Sequence, residues 1–219
     1  ADFALRGGLA IEKFPELYTT QIKAILRANT HANVRILYPM VSDLADLAMF
    51  RDRLKDAERQ LCREGKINRE MVYKEGVMIE TPAAVMMADE ILEEVDFVNI
   101  GSNDLLQYSL AASRGNLSVE EHYHVFHPAL ARCIETVVNA GIRHNKEVCL
   151  CGEIASFEEY YPLLFKLGLR IFSVSVGKFE DIRCELLHFK PERFRDLKKN
   201  FYLQVHSKKD ADKYFAQFV

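Results

Sequence analysis

Short apolar runs rich in β-branched residues alternate with longer amphipathic stretches along most of the chain. "VRILYPM" (34–40) predicts a strand that ends at Pro39. Residues 43–64 then place Leu44, Leu47, Phe50, Leu54, Ala57 and Leu61 at three- and four-residue steps. That spacing is one face of a long helix, with Ser42 or Asp43 as its N-cap. "GVMIE" (76–80) predicts a second strand, and Thr81-Pro82 opens the next helix with proline at a tolerated first position. "DFVNIGS" (96–102) is a third strand, a helix over 128–146 follows, and "EVCLCGE" (147–153) is a fourth. "FEEYYPLLFKLG" (157–168) predicts a helix stopped by Gly168, "RIFSVS" (170–175) a fifth strand, and 177–188 a closing helix.

Strand–helix alternation implies α/β architecture with parallel strands and helical crossovers. The strands are apolar nearly throughout, as expected of strands covered on both faces. Periodicity leaves a TIM-type (β/α) barrel and a doubly wound sheet both open. No G-x-G-x-x-G follows a strand, which disfavours a dinucleotide fold. Polar residues recur at successive strand ends: Glu80, then Asn103 and Asp104, then Cys151 and Glu153, then Ser173 and Ser175. In parallel α/β proteins that edge carries the chemistry, and the regularity favours the barrel.

The 219 residues carry a net charge of −3, so nothing general recruits nucleic acid or an anionic membrane. No apolar run approaches the ~20 residues of a membrane span. Cys62, Cys133, Cys149, Cys151 and Cys184 form an odd set without framework spacing, which points to reduced thiols in the cytoplasm. No second Cys/His pair at zinc spacing accompanies Cys149 and Cys151.

Glu80 and Asp104 are acids on neighbouring strand ends, and in a barrel such ends converge closely enough to share a divalent cation. Asp104 also fits a helix-capping role. Arg114, Arg6 and Arg35 are candidates for phosphate or carboxylate recognition, each with a solvated surface charge as the plain alternative. Cys151, at a strand end before Gly152, either exchanges protons at the mouth of a site or fills buried space.

"GVMIETPAAVMMADEI", "VDFVNIGSNDLLQYSLAASRGN" and "VCLCGEIAS", in this order and spacing, resemble the C-terminal barrel of the phosphoenolpyruvate-utilising enzymes. The "QYSLAASRGN" wording favours the branch of phosphoenolpyruvate–protein phosphotransferases (enzyme I of the bacterial sugar phosphotransferase system) over phosphoenolpyruvate synthase and pyruvate phosphate dikinase. The resemblance covers about residues 3–188. It implies that Glu80 and Asp104 hold Mg²⁺, that Asn103, Arg114 and Arg6 contact phosphate, and that Arg35 helps shape the site. It implies that Cys151 protonates the enolate of pyruvate at carbon. It further implies a homodimer, and transfer of the phosphoryl group to a histidine on a separate N-terminal domain that serves a histidine-containing phosphocarrier protein.

The family barrel has eight strands and the pattern here yields about five, so the resemblance implies an N-terminally truncated part, inactive by itself. Ser113 stands where the family has an acid, and Leu9 where it has a second basic residue. None of the seven histidines sits in a phosphohistidine-type motif. The expected division is residues 1–188 as barrel and 189–219 as a helical extension. Phe194, Leu197, Phe201, Tyr214, Phe215 and Phe218 anchor that extension, either on the barrel or in dimer contacts. A non-catalytic regulatory or assembly module is the alternative from another class; the joint presence of Glu80, Asp104, Arg114 and Cys151 speaks against it.

Overall fold

The computed structural model describes residues 5–29, 33–67, 71–112, 126–188 and 196–216. Five parallel strands, β1 (Arg35–Tyr38), β2 (Lys74–Ile79), β3 (Phe97–Gly101), β4 (Glu147–Cys151) and β5 (Ile171–Phe172), lie side by side in chain order. Each pairs with the next, as in Leu37 with Gly76, Ile79 with Ile100, Ile100 with Leu150 and Leu150 with Phe172. Two helices, α1 (Gly8–Lys13) and α2 (Pro15–Ala28), precede β1, and α3 (Leu44–Arg63) joins it to β2. The β2–β3 crossover is α4 (Pro82–Met86) with α5 (Ala88–Glu94). After β3 come α6 (Ser102–Ser109) and α7 (Pro128–His144), and α8 (Tyr161–Lys166) leads to β5. The chain closes with α9 (Phe179–His188), α10 (Leu197–Gln204) and α11 (Lys208–Phe215).

A doubly wound sheet reverses its strand order at a switch point, and this one does not. Crossovers of one hand between strands added in one direction place the helices on one face of the sheet. Alternate strand residues make that face: Ile36, Tyr38, Val77, Ile79, Val98, Ile100 and Leu150 are buried in a core shared with Leu47, Phe50, Leu54, Ile91, Leu92 and Ile134.

The other face departs from the expectation of strands covered on both sides. Its residues include Leu37, Met78, Asn99, Cys149 and Cys151, all half-buried, and the exposed Arg35 and Glu147. Arg35, Asn99 and Glu147 among them keep part of this face wet. It bounds an open cavity of about 280 Å³ lined by Arg35, Leu37, Phe97, Asn99, Glu147 and Cys149, among others. Phe97 lies over Gly76, where a Cβ would come within 2.4 Å of its ring. Arg35 stacks on Phe97, 3.9 Å from the ring centroid, and pairs with Glu147 at 2.5 Å. Strands sit about 4.8 Å apart, so β1 and β4 are about 14 Å apart along the sheet. Arg35 and Glu147 meet because the sheet curls toward this face.

Local signals set the boundaries. Asp43 caps α3 by accepting the Asp46 N–H, and Thr81 caps α4 by accepting the Ala84 N–H. Leu44, the first residue of α3, is 38% exposed, while the other five apolar positions of its predicted face are buried. The helix predicted over 157–168 is one 3₁₀ turn (Glu158–Tyr160) followed by α8, and another 3₁₀ turn (Glu153–Ser156) precedes it. Pro162 is the cause: it has no N–H and fits only the first turn of a helix, so α8 starts at Tyr161. The strand predicted over 170–175 pairs only at Ile171–Phe172.

The last two helices pack on the rest of the molecule. Phe126 lies 5.7 Å from Phe201 and 5.1 Å from Phe215 between ring centroids, and Tyr160 lies 4.7 Å from Phe215. Lys198 and Tyr202 of α10 both donate to the Glu135 carboxylate of α7. Phe194 and Phe218 lie outside the described residues.

Candidate active site

The polar strand ends meet at the C-terminal edge of the sheet. Glu80 directly follows β2 and is only 7% exposed. Its Oε1 accepts the Met40 N–H at 2.8 Å, and Met40 takes an uncommon φ of 53° just after β1 to aim that N–H. Its Oε2 is turned over Gly101, where a Cβ would stand 2.8 Å away. Burial raises the Glu80 pKa; the Met40 amide opposes the rise, the Asp104 charge adds to it, and Arg6 opposes it.

Asp104 sits in the first turn of α6, half-exposed, and accepts from Arg6 Nη1 at 3.3 Å. Arg6 reaches the edge because Gly7 follows it. Gly7 has φ 59°, and a Cβ there would stand 2.4 Å from the Met40 carbonyl oxygen. Glycine alone accepts both the torsion and the contact.

Asn103 Oδ1 accepts the Glu153 N–H at 3.0 Å. That bond commits its oxygen and leaves the amino group as the end able to donate to an anion. Ser102 Oγ donates to the Cys151 carbonyl at 2.8 Å and fixes the loop after β4. Gly152, at φ 104°, lets that loop pass Ser102, since a Cβ there would meet the hydroxyl at 2.2 Å.

The Cys151 thiol donates to the Ile100 carbonyl oxygen at 3.2 Å and contacts Met78 Sδ at 3.6 Å. Burial first, then Cys149 and Glu80, push its pKa up to about 11. The thiol is therefore protonated near neutral pH. It carries a proton that it can give, and its pKa stands above the roughly 8.5 of an unperturbed thiol.

Glu80, Asp104, Arg6, Asn103 and Cys151 are thus brought to one edge, and Arg35 stands apart from them. Arg35 is a correction. It stands at the start of β1, in register with Lys74 and paired with Glu147 at the start of β4, so it belongs to the opposite edge of the sheet. Its position before the apolar run Ile36–Tyr38 forces this, because a parallel strand carries its first residue away from the C-terminal edge. Arg114 lies outside the described residues. The sequence reading missed Met40, whose positive φ leaves no signature at a methionine. It also missed Tyr108, which the four-residue step from Asp104 could have flagged.

Among the described residues no three His, Cys, Asp or Glu side chains converge as a closed metal cage. What the edge offers is two carboxylates, one of them buried beside the other's negative charge. That hard-oxygen pair fits a cation that binds through one or two carboxylates and completes its shell with water and substrate oxygens, as Mg²⁺ does.

A curled, singly wound α/β sheet with two acids, an arginine and a thiol at its C-terminal edge defines a class of domain that gathers its reactive groups at that edge. The chain belongs to the family of PEP-utilising enzymes: the model of their PEP-binding domain matches residues 4–190.

Curated relatives agree. The chain is 33% identical over 207 residues to "Multiphosphoryl transfer protein 2" of Escherichia coli (strain K12), covering 94% of this chain and 25% of that protein. It is 36% identical over 184 residues to "Phosphoenolpyruvate-protein phosphotransferase" of Bacillus sp. (strain S), covering 84% of this chain and 32% of that protein. The protein of the same description from Listeria monocytogenes is 39% identical over 162 residues, 74% of this chain and 28% of its own length. The chain thus spans between a quarter and a third of the length of these relatives. Among solved structures, a citrate lyase from Burkholderia xenovorans LB400 matches with a TM-score of 0.58 at 14% identity, covering 90% of this chain and 66% of that one. That likeness speaks for the fold alone.

Proposed function

We propose that this chain is the phosphoenolpyruvate-binding part of a phosphoenolpyruvate–protein phosphotransferase. The convergence of Glu80, Asp104 and Arg6 beside a protonated Cys151, in a chain of this family, carries the proposal. Glu80 and Asp104 would hold Mg²⁺, which supplies positive charge against the oxygens of phosphate and enolate. Arg6 and the Asn103 amino group bind the phosphate, with Arg114 as a further clamp. The ester P–O bond of phosphoenolpyruvate breaks as the phosphoryl group passes to a histidine on another domain, and the electron pair stays on the enolate oxygen. Cys151 then gives its thiol proton to the methylene carbon, pyruvate forms, and solvent returns the proton to sulfur.

The fold reading extends in the same way. The monotone strand order and the contact across the curled face support a (β/α) barrel of which this chain contributes five strands. Residues 1–188 form that barrel portion and 189–219 a helical extension packed on it. The whole enzyme acts in the cytoplasm as a homodimer and passes the phosphoryl group to a histidine-containing phosphocarrier protein, starting sugar uptake. The relatives' printed descriptions support a protein acceptor over a nucleotide. Among the described residues no helix is long and apolar enough to cross a membrane.

Calorimetric titration of phosphoenolpyruvate tests the site, in this chain and in one extended at its N-terminus. Binding should require Mg²⁺ and fall by at least about a hundredfold in Asp104→Ala, which loses a charge-assisted ligand. Full affinity without the metal, or in that variant, rules the assignment out.

A further inference from the structure

Tyr108 belongs to no element of the chemistry above, yet it stands inside the site. It lies four residues after Asp104 on α6, so both side chains leave the same helix face one turn apart. The Arg6 guanidinium meets both: it is 3.3 Å from Asp104 Oδ1, and its Cζ stands over the Tyr108 ring, 5.6 Å from the centroid. We propose that Tyr108 is a positioning residue: with Asp104 it clamps the Arg6 guanidinium in the orientation that receives a phosphate. The inference rests on the functional reading above for what Arg6 binds, but not for how Arg6 is held.

The physical need for a clamp is plain. The Arg6 side chain is 44% exposed, and a long guanidinium side chain carries about 2 kcal/mol of rotamer entropy. A single solvent-exposed ion pair offsets at most about 1 kcal/mol of that. The Gly7 turn fixes where the main chain enters but not where the guanidinium goes. An aromatic ring supplies the second contact, with attraction of the cation to its face and a flat surface that restricts rotation. It does so without negative charge. A third carboxylate at this position would hold Arg6 more firmly, but it would cancel the charge that a phosphate needs and repel the incoming anion. A neutral ring steers the guanidinium and leaves its charge available.

Two measurements test this. The first is calorimetric titration of phosphoenolpyruvate at saturating Mg²⁺ into the wild type, Tyr108→Phe, Tyr108→Leu, Arg6→Ala and the Arg6→Ala/Tyr108→Leu pair. Removing the ring should weaken binding about three- to fivefold. Tyr108→Phe, which keeps the ring, should lose less. In the Arg6→Ala background the loss from Tyr108→Leu should vanish, because the tyrosine acts through the arginine. Undiminished affinity in Tyr108→Leu, or an equal loss with and without Arg6, overturns the proposal.

The second is NMR of the Arg6 side chain in the ligand-free protein. Its guanidinium should rotate slowly in the wild type and in Tyr108→Phe, and faster in Tyr108→Leu. Free rotation in the wild type overturns the clamp whatever the titration gives. If the wild type binds no phosphoenolpyruvate while Arg6 rotation still depends on Tyr108, the clamp stands and the functional reading falls.

Discussion

The curled face carries an arginine–carboxylate pair at each end of its strands, and the two ends are built on opposite terms. At the N-terminal edge Arg35 and Glu147 meet at 2.5 Å, and the guanidinium is stacked 3.9 Å above Phe97. One cation faces one anion, and an aromatic ring lies under the guanidinium. At the C-terminal edge Arg6 reaches Asp104 at 3.3 Å, and a second carboxylate, Glu80, is buried beside them. Burial and the Asp104 charge both work against Glu80 ionising. A protonated thiol completes the group. A pair that satisfies itself holds strands together. A group in which a second carboxylate is buried beside an ion pair that already balances, at the edge where the loops begin, is arranged for a visitor that brings positive charge. The comparison teaches that an ion pair on a shared face is informative only through what surrounds it.

The sharpest way to break this contrast is at Cys151. In the full-length protein, if it has the proposed activity, Cys151→Ala should slow pyruvate formation by a factor of about 10² to 10⁴, the usual worth of a positioned acid. Mg²⁺-dependent phosphoenolpyruvate affinity should be retained, since the thiol hydrogen-bonds to the Ile100 carbonyl and not to Glu80 or Asp104. Rapid-mixing measurement of pyruvate release separates the two. Unchanged release would remove the thiol from the mechanism and leave only charge at this edge.

A smaller effect reads the state of that thiol directly. The thiolate is the nucleophile toward alkylating reagents. With a pKa of about 11, Cys151 is ionised in about one molecule in ten thousand at pH 7, and the fraction grows about tenfold for each pH unit up to about 10. Iodoacetamide labelling followed by mass spectrometry should therefore show the Cys151 rate climbing steadily from pH 7 to 9, with exposed Cys62 and Cys184 as references in the same digest. A Cys151 rate that levels off below about pH 8 would mean an activated thiol, largely ionised near neutral pH, and the acid role would lose its support.

Much of this was legible in the chain because strand ends are written in the apolar pattern. Where a run such as "GVMIE" stops, the next polar residue must stand at the edge, and Glu80, Asp104 and Cys151 follow from that rule. Arg35 escaped it because a strand has two ends. An arginine before an apolar run is as conspicuous as an acid after one, but parallel pairing sends it to the far side. Met40 and Tyr108 escaped for other reasons. A backbone torsion at a methionine is set by the turn around it, and a tyrosine in an amphipathic helix reads as core until its neighbour's guanidinium is placed. In the fold, five strands were readable from length and β-branching, while the shortness of β5 and the late start of α8 depended on Pro162 and on pairing partners.

The mildest prediction concerns the edge assigned to structure. Arg35→Met removes an exposed ion pair, which contributes about 0.2–1 kcal/mol, and a ring contact of about 0.5–1 kcal/mol. The methionine keeps an apolar stem against Phe97, so the net loss should be near 1 kcal/mol. For a domain of this size that lowers the Tm by about 2–4 °C in a thermal melt. Glu147→Gln should cost less, because the ring contact survives it. Phosphoenolpyruvate affinity should stay within about twofold in both variants, since the pair stands at the edge remote from Glu80 and Asp104. If Arg35→Met leaves the melt unchanged but weakens phosphoenolpyruvate binding tenfold or more, the two ends of the curled face are not separate devices. Arg35 would then have to act on the ligand from the far edge.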